Sequence, residues 1–229
     1  TAVDQAEEEQ ELANQVNHLA VKQLAGIVKE QKARLIHIST DYVFNGESDK
    51  PYIETDETNP INVYGKTKLA GEKALQEIMP TNAIIIRTSW MYSEFGNNFV
   101  STMLRLGKER DELNVVSDQI GSPTYATDLA EVILRIIDNK NYQDKEQSTE
   151  IYHYSNLGEM SWYDFTKEIF KLAKIDCKVN PITTQRYPTP AKRPGNTSMN
   201  KDKILEKFRV EAYSWEKNFK NIIVNNKEE

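Results

Sequence analysis

Apolar residues recur with helical spacing in several stretches of the chain. The two longest run from about residue 7 to 32 and from 63 to 78. Because positions three and four apart share one face of a helix, each stretch predicts a helix with one buried side. Thr127 or Asp128 is the predicted N-cap of a further helix over 129–137. Other helices are predicted from the F-G-N-N-F-V sequence (95–100) through 106, and over 162–172, 201–207 and 214–224.

Short apolar segments lie between these helices at 35–38, 83–87, 113–116, 151–154 and 179–182. Their length and Ile/Val/Leu content predict buried strands. Helices that alternate with buried strands indicate an α/β fold with a parallel sheet covered on both faces. The hydrophilic stretch 138–150 is predicted to be a surface connection, and prolines 188, 190 and 194 exclude regular structure around them.

The chain changes character near residue 118. We predict a main domain over 1–117 and a smaller C-terminal domain over 118–229, with some C-terminal segments returning to the main sheet. Part of 91–112 is expected to join the smaller domain, which would close over the crevice at the carboxyl edge of the sheet.

Three side chains between residues 35 and 68 have the types and order needed for proton transfer. Thr40 ends a predicted strand, and Tyr64 and Lys68 lie one turn apart on the following helix. A lysine cation beside a phenol lowers the phenol pKa from about 10 towards neutrality. We therefore expect Tyr64 to be a general acid beside a hydride transfer, with Thr40 holding the substrate carbonyl. Lys68 could also reach a ribose hydroxyl of a nicotinamide cofactor.

The Tyr-x-x-x-Lys spacing alone is a weak signal. It occurs three times, at Tyr64/Lys68, Tyr163/Lys167 and Tyr213/Lys217. Only the first pair follows a buried strand that ends in Ser-Thr-Asp. The other two pairs lie in Trp-containing helical stretches, so we predict that their tyrosines are packing residues.

Net charge, cysteine count and the lengths of the apolar runs limit which partners and which cellular compartment fit this sequence. A formal charge of −6 and a pI near 5.3 argue against nucleic acid or an anionic membrane as the main partner. The single cysteine, Cys177, excludes an internal disulfide and suits a reducing cytoplasm. No apolar run has the length of a membrane span. The three histidines are scattered, so the sequence predicts no metal site.

Several motifs together resemble the extended short-chain dehydrogenase/reductases and, among them, the dTDP-4-dehydrorhamnose reductase family. In chain order they are T-A-V-D-Q-A-E (1–7), S-T-D-Y-V-F-N-G (39–46), N-V-Y-G-K-T-K-L-A-G-E (62–72), R-T-S-W-M-Y (87–92), G-N-N-F-V (96–100), D-Q-I-G-S-P-T (118–124) and K-R-P-G-N-T (192–197). Each is modest alone, but together they span nearly the whole chain.

This resemblance implies a Rossmann-like, doubly wound sheet that binds NADPH, with NADH as an alternative, and a smaller domain that binds a nucleotide sugar. The implied reaction reduces dTDP-4-dehydro-L-rhamnose to dTDP-L-rhamnose, a precursor of cell-surface polysaccharide, in the cytoplasm. A homodimer is a further expectation. Among site residues, the resemblance implies that Tyr64 and Lys68 also contact the cofactor and that the substrate is bound by Thr40, Trp90, Asn98 and Arg193. Asn98 and Arg193 would approach the pyrophosphate.

Two neighbouring residues receive structural interpretations. Asn17 matches the family asparagine of V-N-x-x-A, which we expect to bridge backbone rather than to contact substrate. Asp41 is expected to cap its own loop.

One family feature is missing from the sequence. The sequence contains no Gly-rich phosphate-binding turn. We therefore expect it to be a fragment of a longer family member that lacks the first two βα units, about 60 residues. That turn would hold the cofactor pyrophosphate at a helix N-terminus. We therefore expect this sequence, taken alone, to bind NADPH poorly and to be inactive.

Two other functions stay open. The first is a non-catalytic NADP-binding regulatory subunit of the same fold, like that of methionine adenosyltransferase, and the second is a reductase or epimerase of another nucleotide sugar. The intact Thr40, Tyr64 and Lys68 set favours an enzyme, since a regulatory protein does not need it.

Overall fold

The computed structural model describes residues 2–143 and 146–217, and Phe219 and Ile222 beyond them. Its α-helices are α1 (Gln5–Glu8), α2 (Gln10–Asn14), α3 (Ala20–Glu30), α4 (Val63–Ile78), α5 (Phe99–Glu109), α6 (Ala126–Ile137), α7 (Lys140–Gln143), α8 (Trp162–Ala173) and α9 (Asp202–Phe208). Its strands are β1 (Leu35–Thr40), β2 (Ala83–Thr88), β3 (Met91–Tyr92), β4 (Glu112–Val116), β5 (Ile120–Gly121), β6 (Thr124–Tyr125), β7 (Glu150–His153), β8 (Met160–Ser161) and β9 (Lys178–Ile182).

A parallel sheet of β1, β2 and β7, with β2 in the centre, forms the middle of the molecule. Thr40 is paired in register with Thr88, so β1 and β2 end at the same edge of the sheet. All six residues of β2 are buried, as expected for a strand with helices on both faces. The predicted α/β fold with a parallel sheet is confirmed.

Each face of this sheet is covered by helices. On one face, α3 and α4 bury Val21, Ala25 and Leu75 against Ile85. On the other face, α6 and α9 bury a second set against Ile84 and Ile86, namely Leu129, Val132, Ile136, Ile204 and Phe208. Alternate residues of β2 thus serve opposite cores, which explains its unbroken apolar sequence.

A separate hydrophobic cluster lies beside the carboxyl edge of the sheet. It joins α5, α8 and β4, and its fully buried centre includes Val100, Phe165 and Ile169. The parallel pair β4–β9 and the antiparallel pair β5–β8 frame this cluster. Residues from before and after position 118 contribute to it, among them Leu104 and Phe170.

The predicted helix over 7–32 is present but interrupted. Glu9 has a non-helical backbone (φ −110°, ψ 54°) between α1 and α2, and a π-helical turn, Gln15–Leu19, separates α2 from α3. Short π-helical segments inside helices occur frequently at functional sites. Here the turn contains Asn17.

The N-cap of α6 was predicted wrongly. The cap position is Tyr125, which makes no side-chain capping bond, and both predicted residues lie inside the first turn. The carboxylate of Asp128 instead accepts a hydrogen bond from the Asn156 amide, which in turn accepts one from the Tyr125 backbone N–H. The Asp128 carboxylate therefore binds a residue distant in sequence and does not cap the helix.

Two predicted segments differ in detail. The stretch 138–150 contains the short helix α7 rather than irregular chain alone. Of the predicted helix over 214–224, Trp215–Lys217 forms a 3-10 turn, and most of the remainder lies outside the described residues. Within the described part of the chain, no helix is long and apolar enough to cross a bilayer.

Candidate active site

Thr40 is the last residue of β1 and faces the carboxyl edge of the sheet. The chain turns directly after it into a 3-10 turn, Asp41–Val43. The Thr40 Oγ1 accepts a hydrogen bond from the Tyr42 backbone N–H at 3.2 Å and donates one to Asp41 Oδ1 at 3.0 Å. Both Thr40 and Asp41 are buried. The hydroxyl is therefore held in place by its own loop.

Tyr64 and Lys68 are presented by α4, whose start is fixed by Asn62. The Asn62 Oδ1 accepts from the Gly65 backbone N–H at 2.7 Å, and its Nδ2 donates to the Lys192 carbonyl. This N-cap stops the helix from starting elsewhere. Tyr64 therefore lies in the first turn and Lys68 one turn later, as predicted.

The Lys68 ammonium is held against the end of β1. Its Nζ donates to the Ile38 carbonyl at 2.7 Å. Burial lowers the pKa of Lys68, and the nearby Glu72 carboxylate opposes that shift. Lys68 keeps N–H groups beyond the one that binds Ile38, because an ammonium has three.

Glu72, one helical turn after Lys68 on α4, forms a buried ion pair with Arg87. Arg87 donates through Nε and Nη2 to the two carboxylate oxygens of Glu72, the shortest contact being 2.7 Å. The side chains are only 2% and 1% exposed. This pair fastens α4, the helix that carries Lys68, to β2.

α4 lies unusually close to its neighbours. A Cβ at Gly65 would overlap the Tyr42 carbonyl oxygen, and one at Gly71 would overlap the Asn17 carbonyl oxygen. Between these glycines, Asn17 Nδ2 donates to Thr67 Oγ1 at 3.0 Å. Asn17 thus bridges the π-helical turn to α4 through a side chain, where a bridge to backbone was expected.

Tyr64 and Lys68 line two clefts at once. One cleft, of about 340 Å³, runs along α1, α2 and the π-helical turn and includes Asn17. The other, of about 420 Å³, lies over the carboxyl edge of the sheet and includes Thr40, Trp90 and Asn98. The structure therefore brings five of the six predicted site residues to one cleft.

Aromatic rings form one wall of the second cleft. Trp90 stacks on Trp162 with ring centroids 3.4 Å apart and an interplanar angle of 9°, and Phe99 packs on Trp162 at 4.3 Å. Trp90 has a positive φ of 45°, which turns the chain sharply after β2. A Cβ at Gly121 would meet the Trp90 ring at 2.7 Å, so glycine is needed there.

Asn98 and Arg193, both predicted to approach the pyrophosphate, lie in different places: only Asn98 lines a cleft. Asn98 lines the cleft, but its Oδ1 caps α5 by accepting from Ser101 N–H, and its Nδ2 donates to the Ser93 carbonyl. Arg193 is not among the residues lining either cleft. Its guanidinium binds both carboxylate oxygens of Asp4, at 3.1 and 2.8 Å. That pairing lowers the pKa of Asp4.

Comparisons with known proteins identify the family of this chain. A family model described as the RmlD substrate binding domain matches residues 1–227. The chain is 44% identical to dTDP-4-dehydrorhamnose reductase of Escherichia coli K12, over 97% of this chain and 76% of that protein. The chain belongs to the dTDP-4-dehydrorhamnose reductase family.

Solved structures support the same assignment. The dTDP-4-dehydrorhamnose reductase of Clostridium acetobutylicum aligns with a TM-score of 0.91 and 43% identity, covering 99% of this chain and 78% of that one. The reductase of Bacillus anthracis, solved in complex with NADP, aligns with a TM-score of 0.90 and 39% identity, covering 98% and 77%. The resemblance inferred from the motifs is thus confirmed for this reductase family.

In this member of the reductase family, the other two Tyr-x-x-x-Lys pairs lie away from both clefts. The Lys167 ammonium lies 5.1 Å from the centre of the Tyr163 ring, and Lys217 lies 3.1 Å from that of Tyr213. Tyr163 also packs against the hydrophobic cluster at the carboxyl edge. Both pairs are cation–π contacts.

Sequence reasoning missed Trp162 and gave Asp41 only a local role. Trp162 lines the cleft beside Trp90, on which it stacks, yet in the S-W-Y-D-F segment only Tyr163 received an interpretation, as a packing residue. The signal that could have found Trp162 is Ser161, a good N-cap residue that predicts Trp162 as the first residue of a helix. No local signal distinguishes Asp41 from a loop-capping residue.

Proposed function

We propose that the protein catalyses the NADPH-dependent reduction of dTDP-4-dehydro-L-rhamnose to dTDP-L-rhamnose. The observation that carries the proposal is the meeting of Thr40, Tyr64 and Lys68 in one cleft of a chain that belongs to this reductase family. NADPH, when bound, supplies the hydride that reduces the substrate carbonyl carbon.

The residues around Tyr64 and Lys68 fit a nicotinamide cofactor. These two side chains line both clefts, so a group held on the α1 side can meet one held on the sheet side. Lys68 has N–H groups available for a ribose hydroxyl beside the one that binds the Ile38 carbonyl. Tyr64 and Lys68 are therefore the proposed cofactor contacts in the described part of the chain.

Tyr64 is the proposed general acid. Its phenol gives its proton to the carbonyl oxygen as the hydride reaches the carbon, so that an alcohol forms. The Lys68 cation, one turn away on the same helix face, stabilises the phenolate that remains. Lys68 is kept in position by the Ile38 carbonyl, and the Glu72 carboxylate favours its charged form. Thr40 holds the carbonyl oxygen in line with Tyr64.

The wall of the second cleft suits a nucleotide sugar. The flat faces of Trp90, Trp162 and Phe99 can pack against a sugar ring or a base. The N-terminus of α5, capped by Asn98, opens at this cleft, where its partial positive charge favours a diphosphate. Arg193 can bind the diphosphate only if its guanidinium first breaks the ion pair with Asp4.

We also propose that function divides along the chain. Residues 1–117 supply the cofactor side and the three catalytic groups, and residues 118–229 supply mainly the substrate side, joined by Trp90, Asn98 and Phe99 from before position 118. β7 and α9 complete the main sheet and its core, which agrees with C-terminal segments that return to the first domain.

Turnover tests the proposal directly. NADPH oxidation is followed with dTDP-4-dehydro-L-rhamnose, using the 229-residue chain and a longer form that begins with the Gly-rich turn described above. We expect turnover in the longer form, and it should fall by at least about a hundredfold in Tyr64→Phe, the usual scale for loss of a general acid. Tyr163→Phe is the matched control, because its tyrosine has the same spacing to a lysine and lies outside both clefts.

Two outcomes would contradict the proposal. Tight NADPH binding without turnover in either form would favour the regulatory subunit. Turnover only with a different nucleotide sugar would keep the reaction type and replace the substrate.

A further inference from the structure

Asp41 lies beside Thr40 in the second cleft, over the carboxyl edge of the sheet, and is almost completely enclosed. It is 3% exposed, and it lines the cleft together with Thr40 and Tyr64. One of its oxygens, Oδ1, accepts the Thr40 hydroxyl proton at 3.0 Å. The other, Oδ2, is buried without a hydrogen-bond partner among the described residues.

The hydrogen bonds of Thr40 leave it no proton for a substrate in this arrangement. A hydroxyl has one proton to donate and two lone pairs to accept with. The Thr40 proton goes to Asp41, and one lone pair accepts the Tyr42 N–H. A carboxylate can only accept, so an ionised Asp41 keeps the Thr40 proton turned away from a carbonyl in the cleft.

A protonated Asp41 reverses this bond. Its O–H can donate to the second lone pair of Thr40, and the Thr40 proton is then free to point into the cleft. The hydroxyl now makes all three of its hydrogen bonds, two as acceptor and one as donor. We propose that Asp41 is a positioning residue whose protonation turns the Thr40 hydroxyl into a hydrogen-bond donor towards the substrate.

The surroundings of Asp41 make its protonation easier than that of an ordinary aspartate. Burial raises its pKa to about 6, and the hydroxyls of Thr197 and Thr40 and the backbone N–H groups of Asp41 and Tyr42 offset part of that shift. No described residue forms an ion pair with Asp41.

The charged and titratable groups around Asp41 come from three directions. Tyr42 follows it in the chain, and burial and the Asp41 charge raise the Tyr42 pKa. Tyr64 and Lys68 face the same cleft from α4. Arg193 of the Pro-rich segment and Asp4 are bound to each other; the Arg193 charge lowers the Tyr42 pKa and the Asp4 charge raises it.

A titration tests the hydrogen-bond switch without any assay of activity. The carboxyl carbons of aspartate are labelled with carbon-13 in the 229-residue chain, and Asp41→Asn identifies the Asp41 signal. We expect a midpoint well above the ordinary value for aspartate. Thr40→Val should raise it further, because the charged form loses a donor, and Thr40→Ser should leave it in place. An ordinary midpoint, or one that Thr40→Val does not move, would overturn the proposal.

Kinetics test the consequence, which rests on the proposed reductase function. In the active form, kcat/KM should fall about tenfold for each pH unit above the Asp41 midpoint, since the productive hydroxyl requires the protonated acid. Asp41→Asn should remove that fall, because an amide does not titrate. Asp118→Asn is the control, as Asp118 also accepts a threonine hydroxyl, that of Thr184 at 2.7 Å, but at an exposed position.

The outcomes separate the two proposals. Absence of turnover in every form contradicts the reductase function and leaves the titration to decide the switch. A pH profile that Asp41→Asn does not change contradicts the switch and leaves the reductase function standing.

Discussion

Helices α4 and α8 carry the same five-residue pattern, Tyr-x-x-Thr-Lys, at 64–68 and 163–167. Both are capped in the same way: Asn62 accepts from the Gly65 N–H, and Ser161 accepts from the Asp164 N–H. The pattern and the cap thus give two helices with the same local start. Only one of them presents its tyrosine and lysine to a cleft.

The difference lies in what each helix packs against. α4 lies on the sheet, and its lysine is half-buried and bound to the Ile38 carbonyl. α8 packs against the hydrophobic cluster beside the sheet, and Lys167 is exposed and lies over the Tyr163 ring. A lysine affects a neighbouring phenol strongly only where water does not screen the charge. Burial, rather than spacing, therefore separates a candidate acid from a surface pair.

The largest expected difference between the two helices is the loss of stability when a glutamate of each, Glu72 or Glu168, is replaced. Glu72→Gln leaves the buried Arg87 cation without its counter-charge, so we expect the free energy of unfolding to fall by about 3–5 kcal/mol. Glu168→Gln breaks an exposed pair with Lys171, whose side chain is 71% exposed, and should cost less than about 1 kcal/mol. Urea unfolding of the two variants measures both values.

A double replacement checks the cause of that loss. Glu72→Met combined with Arg87→Met removes both buried charges, and we expect it to recover most of the stability. If the double variant is as unstable as Glu72→Gln, the loss comes from packing and not from an uncompensated charge.

The next difference is the effect on kcat/KM of replacing Lys68 or Lys167. Lys68→Met removes the cation beside Tyr64, and kcat/KM for NADPH oxidation should fall about a hundredfold or more. Lys167→Met has the same change of charge and volume on α8 and should leave kcat/KM unchanged within about twofold, since Lys167 lines neither cleft. Equal losses in the two variants would show that the effect is one of overall charge or stability.

Local signals predicted α4 and the strand before it well. The predicted bounds of 63–78 are those observed, because Asn62 caps the helix and the apolar spacing continues to Ile78. Thr40, Tyr64 and Lys68 could be placed together because the end of β1 and the first turns of α4 follow each other in sequence. Such arguments need only short-range geometry.

Contacts between distant segments could not be predicted in this way. The Asp4–Arg193 pair joins residues 189 positions apart, and nothing in K-R-P-G-N-T shows that its arginine is already bound to a carboxylate. The stacking of Trp90 on Trp162 depends likewise on how β2 and α8 pack. Asp128 is a good capping residue in sequence terms, but the Asn156 amide takes its carboxylate.

The smallest expected difference concerns the threonine inside each pattern. Both are buried, and each donates to a carbonyl of its own helix, that of Tyr64 for Thr67 and that of Trp162 for Thr166. Thr67 also accepts a hydrogen bond from Asn17 Nδ2. Thr67→Val should cost about 1 kcal/mol in urea unfolding, because the Asn17 amide loses its acceptor. Thr166→Val should change stability by less than about 0.5 kcal/mol, since that hydroxyl bond competes with the helix.

The two threonine variants also test the role of the π-helical turn. With the Asn17 bond broken, the turn is held to α4 mainly by its close approach at Gly71, where a Cβ would overlap the Asn17 carbonyl. We expect faster amide exchange in the turn 15–19 for Thr67→Val and no change there for Thr166→Val. Unchanged exchange in Thr67→Val would mean that backbone packing at Gly71 alone holds the turn beside Tyr64, and that the Asn17 side chain has no part in shaping the cleft.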